Sequence, residues 1–186
     1  MWSNAAIAID EFEEESPIEV RDNDGYKGIF ATKDIPEDSV IFYLKGTITA
    51  QPTRYTIQMG PREHLNFAAI RRPNDDLNYC WQYLNHHCEP NGYMNTAEFT
   101  FRALRDIAAG EEITFNYLTT ESEMAVPFNC ICGSENCFDF IRGRNFLSPA
   151  QEKRLSLTVG DDNVVTLFMP AFRKSGGEGS QPGHRS

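Results

Sequence analysis

The sequence predicts a mostly β, single-domain fold with irregular connections, and three observations carry that prediction. Its 186 residues are near the size of one domain, and 40% of them are hydrophobic, enough for one sizeable core. Short runs of β-branched and aromatic residues recur between turn-forming compositions. Strand-like runs do not alternate with long helical patterns, which disfavours a βαβ nucleotide fold.

In chain order, the first expected strand is Ile18 to Arg21, closed by Asp22-Asn23-Asp24-Gly25. Gly28 to Thr32 follows and ends before Ile35-Pro36-Glu37-Asp38. Val40 to Leu44 runs into Lys45-Gly46, and Tyr55 to Met59 comes after Gln51-Pro52. Arg72-Pro73-Asn74-Asp75 marks a loop before Leu77 to Leu84, which has the composition for one or two helical turns. Phe99 to Leu104 and Ile113 to Tyr117 are strands on either side of Ala109-Gly110. Ser148-Pro149-Ala150-Gln151 reads as an N-cap, a proline at the first helical position and a glutamine at the third, opening a short helix through about Leu155. From Lys174 to Ser186 the Gly/Ser/Pro/Gln-rich composition predicts a disordered tail.

The formal charge is −10, from 17 Lys+Arg against 27 Asp+Glu, with a pI near 4.8. That balance argues against direct nucleic-acid binding, which depends on basic side chains at phosphates, and against an anionic membrane surface. No apolar run is long enough to span a bilayer, and Met1 to Asp10 lacks the basic start of an export signal, so an intracellular protein is expected. Between Arg105 and Arg142 lie seven acids and no Lys or Arg, at first sight a solvated acidic face.

Five cysteines without an export signal favour metal binding or burial over disulfides. Cys130, Cys132 and Cys137 form a C-x-C-x4-C cluster in which Gly133 allows a tight turn, a pattern suited to Zn²⁺. A tetrahedral site needs a fourth ligand, for which Cys88 is the leading candidate and His86 and His87 are rivals. Cys80, between Tyr79 and Trp81, reads as a buried free thiol.

Four motifs occur in one order. Asp24-Gly25-Tyr26-Lys27-Gly28-Ile29-Phe30-Ala31 with Asp34-Ile35 is followed by Asn85-His86-His87-Cys88-Glu89-Pro90-Asn91. Gly110-Glu111-Glu112-Ile113-Thr114-Phe115-Asn116-Tyr117 and the cysteine cluster then complete the set. The ordered set resembles a compact SET domain with its post-SET zinc segment and no pre-SET, the fold of many protein-lysine methyltransferases. The resemblance implies small β-sheets around a pseudoknot that threads the second and third motifs together. The expected division is an acidic N-terminal segment at 1–15, a SET domain at 16–124 and a post-SET zinc segment at 125–147. A C-terminal helix and strand at 148–172 and the tail at 173–186 follow.

The resemblance also implies function. S-adenosylmethionine would lie on one face, held near Lys27, Gly28, Asn85 and His86, with a protein lysine entering a narrow channel from the other. Tyr117 matches the catalytic tyrosine, Phe115 and Tyr83 line the channel, and a Phe at 115 permits di- or trimethylation. Cys88, Cys130, Cys132 and Cys137 match the four zinc ligands, which decides for Cys88. The substrate would be a lysine-containing basic protein or peptide, histone among the options, placing the protein in the cytoplasm or, in a eukaryote, the nucleus. The acidic stretch would then attract that basic tail. Tyr26, Leu44, Gln82, His87 and Asn116 depart from the family's usual residues. The alternative function they suggest is a non-catalytic SET-fold module that binds a basic peptide.

Overall fold

Short strands, some paired with the next in the chain and others with distant partners, build the molecule, as seen in a computed structural model that describes residues 16–23, 25–67 and 79–160. The expected N-terminal segment, the loop at Arg72 to Asp75, the strand after the C-terminal helix and the tail lie outside the described residues. In order, the strands are β1 (Ile18–Asn23), β2 (Tyr26–Ala31), β3 (Val40–Tyr43), β4 (Thr47–Thr49), β5 (Ile57–Gly60) and β6 (Glu63–Asn66). They continue with β7 (Asn85–His86), β8 (Gly92–Asn95), β9 (Thr100–Ala103), β10 (Glu112–Phe115), β11 (Phe128–Asn129) and β12 (Phe140–Ile141). One helix, α1 (Pro149–Val159), closes the described chain.

Four small sheets result, in the orders β1-β2-β10-β7, β3-β9-β8, β4-β6-β5 and β11-β12. The first holds the pairing that matters most. β10 runs parallel to β7, with Thr114 opposite Asn85 and Phe115 opposite His86, and antiparallel to β2. Side chains lock these segments further. Asn91 accepts the Thr114 amide and donates to the Glu112 carbonyl, while the buried Asn116 side chain donates to the Cys88 carbonyl.

Each departure from the expected elements has a local cause. The run Tyr55 to Met59 becomes strand only at Ile57, because the Thr56 hydroxyl accepts the Thr53 amide, donates to the Thr53 carbonyl and so holds a turn. β8 carries Gly92 and Asn95, poor strand formers, yet it pairs with β9 over four residues. A Cβ at Gly92 would collide with the Phe101 ring, so glycine there is a packing requirement rather than a strand breaker. In the described part of the Leu77 to Leu84 run, from residue 79 on, a 3-10 turn forms at Cys80–Tyr83. α1 has the expected capping box, with Ser148 and Gln151 bonding reciprocally, but runs to Val159. Leu155 and Val159, one turn apart, are both fully buried, and that packing carries the helix to Gly160.

Two hydrophobic clusters form the core. The larger gathers Ile29, Leu65, Met94, Phe101 and Ile113 from the sheets and Trp81 from the 3-10 turn. The smaller joins Phe138, Ile141, Leu155 and Val159 of the C-terminal segment to Cys88 and Leu118, which follow β7 and β10. Tyr117 packs against both clusters.

Candidate active site

Tyr117 stands where two cavities meet, with Arg54, Met124 and Val126 also lining both. The wider one is an open cleft of about 600 Å³ walled by Asn85, His86, His87, Thr114 and Phe128, among others. The narrower is a pocket of about 40 Å³ between Ile57, Trp81, Leu84, Phe115 and Glu121. Its size suits a thin side chain rather than a whole small molecule.

Local structure delivers Tyr117 to that junction. β10 ends at Phe115, and Asn116 accepts the Leu118 amide, turning the chain into a 3-10 turn, Tyr117–Thr119. The Tyr117 hydroxyl donates to the Leu84 carbonyl at 2.6 Å, and its backbone N–H donates to His86 Nδ1 at 3.1 Å. The rings of His86, Phe115 and Phe128 surround it at centroid distances of 5.1, 4.8 and 6.0 Å. Burial, reinforced by Tyr26, Glu121 and Glu112, pushes the phenol pKa well above the usual tyrosine value. Tyr117 therefore keeps its proton and acts as a positioned hydroxyl, not as a base.

The bond from Tyr117 also fixes the His86 tautomer. With Nδ1 accepting, Nε2 carries the hydrogen and faces Cys88 Sγ at 3.3 Å. Burial, with a smaller effect of His87, pushes the His86 pKa down to about 3, so the ring stays neutral.

Asn85 anchors the cleft wall. Its Nδ2 donates to the Lys27 carbonyl at 2.9 Å and to Glu112 Oε1 at 2.8 Å, and the Tyr26 hydroxyl also reaches that oxygen. A Cβ at Gly28 would come within 2.6 Å of Glu112 Oε1 and 3.2 Å of Asn85 Nδ2. The missing side chain thus makes room for this polar knot. Lys27 and Gly28 lie behind Asn85 rather than among the residues lining the cleft. The Lys27 ammonium is 5.0 Å from the Tyr83 ring centroid. Tyr83 likewise lies outside the pocket lining, to which its neighbours Trp81, Gln82 and Leu84 contribute.

Glu121 went unnoticed in the sequence. It is buried, and its Oε1 accepts the Gln58 amide at 2.8 Å and the Thr120 hydroxyl at 3.2 Å. Burial pushes its pKa up to about 7. Gln58 completes the support, donating to the Gly60 carbonyl and accepting from both the amide and hydroxyl of Ser122. In the sequence Glu121 is one of seven acids and Gln58 lies in an ordinary strand, so no spacing separated them from surface residues.

Beside the cleft, the sulfurs of Cys88, Cys130, Cys132 and Cys137 all lie within 4.8 Å of one another. Cys88 is 3.8 Å from Cys130 and 3.9 Å from Cys137, too far for disulfides. Zinc–thiolate bonds of about 2.3 Å in a tetrahedron put sulfurs about 3.8 Å apart, so this donor set fits Zn²⁺. The amides of Phe138 and Asp139 point at Cys88 and Cys137 sulfurs, support that stabilises thiolates. Cys80 is fully buried elsewhere, its thiol pushed up to about 12 by burial.

Residues 26–118, half of the chain, match the SET domain family. Methyltransferase flvH of Aspergillus flavus is 35% identical over 112 residues, which cover 59% of this chain and 57% of that protein. The H3 lysine-36-specific histone-lysine N-methyltransferase of Yarrowia lipolytica is 28% identical over 160 residues, covering 74% of this chain and 20% of that one. The crystal structure of KRYPTONITE in complex with mCHG DNA and SAH shares the fold, with a TM-score of 0.51 at 19% identity over 66% of this chain and 28% of that one. The chain thus spans little more than half of the first relative's length and a fifth of the second's.

Proposed function

The chain belongs to the SET-domain family, and from that premise we propose that it is an S-adenosylmethionine-dependent protein-lysine N-methyltransferase. The observation that carries the reading is Tyr117 at the junction of a wide cleft and a narrow pocket of mixed polar and apolar lining. A cleft of about 600 Å³ is the size of a small-molecule site, and Asn85, His86 and Phe128 would hold the cofactor there. When bound, S-adenosylmethionine supplies a methyl group on a cationic sulfonium.

This chain's residues do the rest. The walls of Trp81, Leu84 and Phe115 exclude water from the substrate amine and disfavour its ammonium form, whose ordinary pKa near 10.4 would keep it protonated. The Tyr117 hydroxyl, pinned by Leu84, keeps its oxygen lone pairs for an amine N–H and aligns the nitrogen toward the cleft. Phe115 has no hydroxyl to hold a water or a partly methylated amine, which supports capacity for di- and trimethylation. Cys88, Cys130, Cys132 and Cys137 would hold one structural Zn²⁺ that fastens the segment after residue 125 against the site.

The substrate is a lysine in a basic protein tail, in keeping with the acidic charge of −10, which also disfavours direct nucleic-acid contact. The protein would act inside the cell, in the nucleus if the tail is a histone's. No helix among the described residues is long and apolar enough to cross a membrane. Radiolabelled S-adenosylmethionine with histones and host lysate tests the reading. Wild-type protein should label a substrate and Tyr117→Phe should not. Equal labelling by the two, or no cofactor binding by calorimetry, would refute it, and binding without transfer would leave a peptide-binding module.

A further inference from the structure

The narrow pocket contains a carboxylate that the methyl-transfer reading does not use. Glu121 is 7% exposed yet lines the pocket beside Phe115 and Tyr117. Only its Oε1 is engaged by the Gln58 amide and the Thr120 hydroxyl, and among the described residues no partner meets Oε2. A glutamine amide oxygen would accept both hydrogen bonds equally well, so the bonding does not account for an ionisable group here. Burying a carboxylate without a cation paired to it is costly. A cationic ligand in the same pocket would remove that cost.

We propose that Glu121 binds the entering lysine ammonium and accepts its proton. This rests on the reading of the pocket as the lysine channel. One ammonium N–H bond breaks, its electron pair staying on nitrogen, and the proton forms a bond to Glu121. A cation and an anion become a neutral amine and a neutral acid, the pair that a low-dielectric pocket favours. The proton returns to water once the methylated lysine has left. Arg54 is the cation among the groups lining the pocket, and Tyr55 and Tyr117 are its phenols. A protonated phenol and a guanidinium are not bases, which leaves the Glu121 carboxylate as the acceptor. Burial places the carboxyl pKa at about 7, where it exchanges protons readily with an amine whose own pKa the pocket lowers.

The variant Glu121→Gln keeps both hydrogen-bond acceptors and removes the base. Its kcat/KM on a lysine peptide at pH 7.5 should fall about 100-fold, as expected for loss of a general base, with S-adenosylhomocysteine affinity unchanged. The rise of kcat/KM through pH 7 should vanish, and a thialysine peptide, whose amine is less basic, should recover most of the loss. Equal losses on both peptides, or an unchanged pH profile, would overturn the proposal and leave the methyltransferase reading standing. A second measurement does not depend on turnover. By NMR titration at pH 8, n-butylamine should bind the variant at least tenfold more weakly than wild type, and equal binding would overturn the proposal. An inert wild-type protein that binds n-butylamine through Glu121 would sink the methyltransferase reading and keep Glu121 as the amine's partner.

Discussion

Replacing Glu121 with glutamine should make the protein more stable above neutral pH while leaving it almost unchanged in acid. Burial raises the carboxyl from an ordinary 4.5 to about 7, so between those values the folded chain binds more protons than the unfolded one. Stability contributed by the protonated acid is therefore present below pH 4.5 and lost as pH rises through 7. About two and a half pKa units at 1.36 kcal/mol each set a ceiling of about 3 kcal/mol on that loss. Glutamine carries no charge and retains the oxygen that accepts from Gln58 and Thr120, so the variant should escape the loss. For a chain of 186 residues, 3 kcal/mol corresponds to roughly 6–12 °C in Tm, and relaxation around the site would leave part of it. Scanning calorimetry of both proteins at pH 5, 6, 7 and 8 gives the difference directly, and groups common to both, such as His86, cancel. A Tm difference that is constant across that range, or a wild type more stable at pH 8, would refute the reasoning.

Tyr117→Phe should reduce methyl transfer at least 100-fold with cofactor affinity retained, measured by turnover and calorimetry. Loss of its bond to Leu84 should change stability by only about 1 kcal/mol. Metal analysis should find one zinc per chain, and chelation should raise hydrogen exchange after residue 125 while the β1-β2-β10-β7 sheet stays protected. Gly143→Ala should destabilise by about 2 kcal/mol or more in denaturant unfolding. Gly143 has φ of +117°, and a Cβ there would meet the Glu123 Cα and the Ser122 carbonyl at 2.5 Å.

What was legible in the sequence was what short spacing encodes. The C-x-C-x4-C cluster announced a metal because three thiols within eight residues can readily converge on one ion. The fourth ligand stayed open among Cys88, His86 and His87 on residues alone, and the structure separates them. His86 is committed to the Tyr117 amide, and His87 Nδ1 faces the Glu89 backbone, while Cys88 joins the sulfurs. Strands with β-branched or aromatic runs were readable. β8 was not, because its glycine is chosen by the Phe101 ring that packs on it from β9. The narrow pocket was least readable of all. Ile57, Trp81 and Glu121 come from separate stretches that only the fold brings together.

The acidity of the chain changes meaning once each acid has a place. Of the seven acids between Arg105 and Arg142, Glu111 is bound by Arg105 and Asn91, and Glu112 holds Asn85. Glu121 is sealed in the narrow pocket, where bulk salt screens poorly. Those three are structural or chemical, and the Asp106 carboxylate also accepts the Glu37 amide in a distant loop. Glu123, Glu135 and Asp139 remain exposed on the segment that carries the zinc cysteines. Four thiolates on one Zn²⁺ would add a net −2 where Cys88 meets that segment. Long-range attraction of a basic tail thus rests on a few exposed acids and the metal centre. The charge that meets the lysine itself is the buried one, and the two contributions separate by salt: the first weakens as ionic strength rises, and the second persists.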